Sequence, residues 1–125
     1  MNDIDSIMDM LDWNNDADVQ KTGREMAKEV RCINVFLQPG HAGHKKNVWD
    51  NCALVLAERT DAELEPYLHE LFKWLQDMNW PGAEIIRKRL LQYERTELFG
   101  FTLAECIKEA EALHEENWLN TLKAF

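Results

Sequence analysis

Positive charge is in short supply in this chain: 14 lysines and arginines stand against 23 acidic residues, for a net charge of −9. That balance repels nucleic-acid phosphate and anionic lipid, so neither nucleic acid nor a membrane surface is an expected partner. A basic protein is. Cysteine is sparse as well. Cys32, Cys52 and Cys106 are odd in number and stand at no metal-ligand spacing, which argues against a disulfide framework and for a reduced, cytoplasmic protein. The start MNDIDSIMDML has no basic n-region, and no apolar run approaches ~18 residues, so neither a signal peptide nor a membrane span is expected. Only three prolines and five glycines punctuate the chain. What remains is 46% hydrophobic with five tryptophans, enough for one folded domain over residues 1–125.

The apolar residues recur at helical spacing. Ile4, Ile7, Met8 and Leu11 predict a short acidic helix from about Asp3 to Trp13, within a stretch of six aspartates and no base. Asp16 stands where an N-cap would, ahead of a helix striped by Val19, Met26, Ala27 and Val30. Gly23 either weakens that helix by ~1 kcal/mol or permits close approach of a neighbour. Residues 31–46 break the rhythm: Pro39, Gly40 and Gly43 rule out a continuous helix, while Phe36 and Leu37 are placed to pin the segment to the core.

Asn47 is placed to cap the next helix, whose inward residues are Val48, Trp49, Cys52, Ala53, Val55 and Leu56. Thr60-Asp61-Ala62-Glu63 reads as a capping box, giving one capped turn before Pro66 opens the main helix. Leu64, Leu68, Leu71, Phe72, Leu75 and Met78 stripe that helix. Asn79-Trp80-Pro81-Gly82 is a corner at which Pro81 starts a new helix lined by Ala83, Ile86, Leu90 and Tyr93. Arg87, Lys88 and Arg89 would form its one concentrated basic surface. ERTELFGF reads as a connector, with a second capping box at Thr102-Leu103-Ala104-Glu105 opening the last long helix and a break at Glu115-Glu116-Asn117. No segment alternates with period two, so no sheet is expected.

The constellations that could carry chemistry are weak. His41 and His44 have H-x-x-H spacing, but a glycine-flanked loop does not hold the two rings on one face as a helix would. A solvated loop titrating near neutral pH is the plainer reading. His69 and His114 fall on separate helices. Carboxylates are too abundant for any pair to stand out as a catalytic dyad. Cys52 as a nucleophile would need a nearby base, and its apolar face favours a structural thiol. No metal, cofactor or catalytic residue is assigned. Trp74, one step off its helix's apolar stripe, and Trp80, on the corner, could be partly exposed beside Glu70 and Asp77, an arrangement suited to anchoring a basic protein; the alternative is a staple that fixes the corner by packing.

Leu11-Asp12-Trp13-Asn14 before Val19 echoes Leu75-Gln76-Asp77-Met78-Asn79 before Ile85, at an offset of about 65 residues, as in stacked helical hairpins. MLDWNN (10–15), KNVWDNCA (46–53), ELEPYL (63–68) and WLQDMNWPGA (74–83) resemble the bacterial family known as domain of unknown function 5071. The resemblance covers residues from about 10 to 93 and leaves 94–125 as a C-terminal helical extension. It implies an all-α, HEAT-like stack of antiparallel helical hairpins and no established activity. Its members resemble small acidic proteins of bacterial toxin–immunity neighbourhoods.

The expectation is therefore an all-α fold of six to eight short helices acting as a non-enzymatic protein-binding module, an immunity protein that neutralises a basic toxin. The docking residues would be Asp16, Asp18, Glu70, Trp74, Asp77, Trp80, Glu105 and Glu109. The alternative is a small enzyme or a ligand- or metal-binding domain using the 38–46 loop with His41, His44 and Asp50.

Overall fold

The computed structural model describes residues 3–39 and 44–125. Among them there is no strand: the fold is all-α, with α-helices α1 (Ile4–Met10), α2 (Ala17–Ala27), α3 (Trp49–Ala57), α4 (Asp61–Leu64), α5 (Leu68–Lys73), α6 (Ala83–Leu91), α7 (Glu97–Ala112) and α8 (Glu116–Lys123). Tight 3-10 turns at Ile33–Phe36, Lys46–Val48, Glu65–Tyr67 and Trp74–Gln76 join or extend them. Helix α1 packs on α2, α2 on α3, and α7 on both α5 and α8, while the most extensive partner of α3 is α6.

The first two helices meet at Gly23. A Cβ there would lie 2.8 Å from the Met10 Cβ and 3.2 Å from Leu11 Cδ2, so the glycine is a close-approach residue. Phe36 and Leu37 are buried and tie the 3-10 turn to α3. Asn47 does not cap α3. It sits inside the Lys46–Val48 turn, where its carbonyl accepts from the Trp13 N–H at 3.0 Å, because that turn supplies the first bend before the helix. The capping box at Thr60 and Glu63 is present in full. Pro66 does not open the main helix: it lies in the 3-10 turn between α4 and α5, where its missing N–H costs no helical hydrogen bond, and α5 starts at Leu68.

Two further expected helix starts move. Helix α6 begins at Ala83 rather than Pro81, because Gly82 takes a left-handed φ of +84° as the corner turns. Helix α7 begins at Glu97, capped by Thr96, whose hydroxyl accepts from the Phe99 N–H at 3.1 Å; Thr102 and Gly100 lie inside it. The reason is Phe99. It is fully buried, stacked on Tyr93 at 5.3 Å and edge-on to Phe72 at 5.4 Å, and that burial offsets the ~1 kcal/mol that an interior glycine costs. The break before α8 falls at residues 113–115, earlier than Glu115-Glu116-Asn117, with His114 at φ 57°, and Glu116 and Asn117 open α8. No helix among the described residues is long and apolar enough to cross a membrane.

Candidate functional site

Three of the expected docking residues come together on one seam. Helices α5 and α7 pack side by side, Glu109 reaches across from α7 to α5, and Glu105 and Glu70 lie near enough to act on the buried Cys106 thiol through their charge. Burial pushes that thiol up to about 12, with the field of Glu109 adding to it, Lys73 opposing, and Glu105 and Glu70 adding again. Glu109 is the seam's most engaged member: its carboxylate lies 3.1 Å from His69 Nε2 and 3.5 Å from Lys73 Nζ. Glu105 is exposed, and Glu70 is half-buried.

The remaining expected residues lie elsewhere. Asp16 and Asp18 are exposed at the start of α2, which packs on α1 and α3. Asp16 makes no side-chain cap; its backbone carbonyl accepts from Val19 and Gln20. Asp77 is exposed at the corner, where its Oδ1 accepts from the Asn79 N–H at 2.8 Å and closes the turn. Trp80 is half-buried and meets Trp49 edge-on at 5.8 Å.

Trp74 corrects the expectation of a partly exposed anchor. It is only 1% exposed, edge-on to Trp49 at 6.3 Å, and its indole N–H donates to the Pro81 carbonyl at 3.0 Å. Position 74 is off the Leu68–Leu71–Leu75 stripe, but Trp49 of α3 and the Pro81–Gly82 corner cover it, so that side of the helix is buried too. The indole staples the corner to α3, and the aromatic anchor must be sought elsewhere.

The expected basic surface on α6 also divides. Arg87 is engaged by Glu84, and Arg89 turns inward to the Ala57 and Arg59 carbonyls and the Asp61 carboxylate, leaving Lys88 exposed. Arg87 and Glu84 border a hollow of about 320 Å³ with Met78, Leu91, Thr121, Ala124 and Phe125. Of the histidine pair, His41 lies outside the described residues; His44 is exposed, and its carbonyl accepts from the Trp49 indole at 3.3 Å. No group of three or more potential metal ligands occurs among the described residues.

Sequence reasoning missed Leu98 and Phe101, which are 43% and 64% exposed on α7. With the helix thought to open at Thr102, both fell in a connector. The signal that finds them is Thr96, a threonine followed three residues later by a buried phenylalanine.

The chain matches the family model described as domain of unknown function (DUF5071) over residues 44–122, and it belongs to that family. The match begins after the MLDWNN segment and takes in most of the C-terminal helices. No curated protein and no solved structure matches it.

Proposed function

We propose that this member of the domain of unknown function 5071 family is a non-enzymatic binding module that captures a basic protein, serving as the immunity partner of a basic toxin. The observation that carries the reading is the packing of α5 on α7, helices that hold Glu70, Glu105 and Glu109 and are bridged by Glu109 to His69 and Lys73, in a chain of net charge −9. A rigid pair of helices holding carboxylates of one sign steers a cationic partner into encounter and fixes its register, with a salt-sensitive association rate. A HEAT-like stack belongs to the same reading. The two corners support it: Asp12 Oδ1 accepts from Asn14 N and Asp77 Oδ1 from Asn79 N, each at 2.8 Å, after a fully buried leucine, Leu11 or Leu75.

Affinity capture from the native host tests the proposal, with the wild-type chain and a Glu105→Lys/Glu109→Lys double variant as baits. The expected result is a basic protein recovered by the wild type, released by salt and lost from the variant, with a cooperative melting curve showing that the variant is folded. Equal recovery by both baits would remove the seam from the account. The immunity role further requires the neighbouring reading frame to encode a large secreted protein with a variable C-terminal domain; a lone metabolic operon there would contradict it.

A further inference from the structure

The outer face of α7 carries apolar side chains that the core does not use. Phe99, Cys106 and Ala110 define the helix's buried side, all fully inaccessible. At 3.6 residues per turn, Phe101 lies roughly 160° from the centre of that side. Leu98, one turn earlier, shares the exposed surface. Scattered exposed hydrophobics are ordinary, but these two are neighbours at i and i+3 on the same helix, and Glu105 follows at i+4 from Phe101. Their flanks have one dominant sign: α7 holds Glu97, Glu105, Glu109 and Glu111 against a single Lys108.

We propose that Leu98 and Phe101 form the apolar anchor of a docking surface on α7 whose occupant is a basic amphipathic segment of a partner protein, apolar residues on one face and lysine or arginine on its edges. This deepens the binding reading above and rests on it. Charge complementarity selects the occupant. A second copy of this chain meeting the same face across a two-fold axis would set Glu97 and Glu105 against their own counterparts, and an anionic lipid surface would meet the same repulsion. A basic segment neutralises those carboxylates while its apolar face covers the phenylalanine. An aromatic ring ringed by polar groups is the arrangement in which one side chain dominates an interface.

The test uses the full chain and two fluorescent probe peptides of about four helical turns. One carries leucines on one face and lysines on the other; the second is oligolysine. The leucine–lysine peptide should bind the wild type more tightly than oligolysine, and Leu98→Ala/Phe101→Ala should weaken it about tenfold, equivalent to ~1.4 kcal/mol. Oligolysine binding should be insensitive to that double variant and sensitive to Glu105→Lys. Both positions are solvent-facing, so the variants keep the fold, and their melting curves check this. If both peptides bind equally and only charge reversal weakens them, the anchor is overturned while a basic partner stands. If neither binds the wild type, both readings fail together. If Phe101→Ala instead turns a dimer into a monomer, the occupant is a second copy and the proposal is overturned.

Discussion

Arg89 donates through Nη2 to the backbone carbonyl of Arg59 at 2.8 Å, while Arg59 donates its own Nη2 to the carbonyls of Ala27 and Val30 at 2.9 and 2.8 Å. Each guanidinium thus closes the C-terminal end of an earlier helix, Arg59 that of α2 and Arg89 that of α3, where orphan carbonyls and the negative end of the helix dipole both favour a cation. Arg89 also reaches the Ala57 carbonyl at 3.1 Å and Asp61 at 2.6 Å. Both side chains are only 12% exposed, so water cannot readily replace these bonds.

Arg89→Ala should therefore destabilise the chain by about 2–4 kcal/mol, since it leaves two carbonyls without their donor and the Asp61 carboxylate with only the Glu94 N–H. Arg89→Lys should recover only part, because an ammonium cannot reproduce the forked geometry. Urea unfolding measures both. A loss below ~0.5 kcal/mol for the alanine variant, the scale of an ordinary surface change, would contradict the ladder.

Three glycines separate by what surrounds them. Gly82→Ala should cost at least about 2 kcal/mol, since it combines left-handed backbone strain with overpacking: φ is +84°, and the new Cβ would lie 2.8 Å from Ala53 Cβ and 2.9 Å from the Trp49 carbonyl oxygen. Gly23→Ala should also destabilise, through its clash with Met10. Gly100→Ala should do the opposite and stabilise by roughly 0.5–1 kcal/mol, because the position is helical and nothing lies within 4 Å of its Cβ. Thermal melts of the three variants should bracket the wild type; a destabilised Gly100→Ala would contradict the placement of α7.

The thiols should be unequal. Burial pushes Cys52 to about 12 despite its contact with Gln38, and Cys106 to about 12, whereas Cys32 is exposed. A colourimetric thiol reagent at neutral pH should titrate one cysteine in the native protein and all three after denaturation. The two buried thiols also give an alkaline signature: their folded values are raised from 9.0, so the stability they contribute is complete below pH 9 and is lost as pH rises from there toward 12. Three fast-reacting thiols in the native state would contradict the core.

Acid should act through the Arg89 partner. The Glu94 N–H and then the Arg89 guanidinium hold the Asp61 carboxyl below its ordinary 3.8. A lowered folded value contributes stability above the unfolded value and loses it as pH falls through the folded one. Glu63 and Glu84 are lowered in the same direction, by Thr60 with Arg59 and by Arg87. Asp61→Asn should therefore differ most from the wild type near neutral pH, and the gap should narrow as pH falls below about 4. A gap independent of pH would mean that the carboxylate charge contributes nothing.

Much of this architecture is legible in the residues because period and punctuation agree. The α3 face, the Thr60 box and the Asp77 corner each combine an apolar spacing with a residue whose turn chemistry has one use. The site was less legible. Trp74 is off its helix's apolar stripe, and what buries it is the later Pro81–Gly82 corner folding back with Trp49, a tertiary contact that helical periodicity does not register. Leu98 and Phe101 were hidden by Gly100, a residue that usually marks a break and here is carried by the burial of its neighbour Phe99. Arg89 read as surface charge, since nothing local distinguishes an arginine aimed at solvent from one aimed at another helix's carbonyls.

The most direct measurement of the central claim is the association rate of the captured basic partner with this chain as a function of salt. The comparison is between wild type and Glu105→Lys/Glu109→Lys. The account predicts a wild-type rate that falls steeply as ionic strength rises across the range in which the Debye length shortens from about 30 to 8 Å, and a variant whose rate is low and nearly flat. A wild-type rate indifferent to salt, or a variant that retains the full dependence, would contradict it.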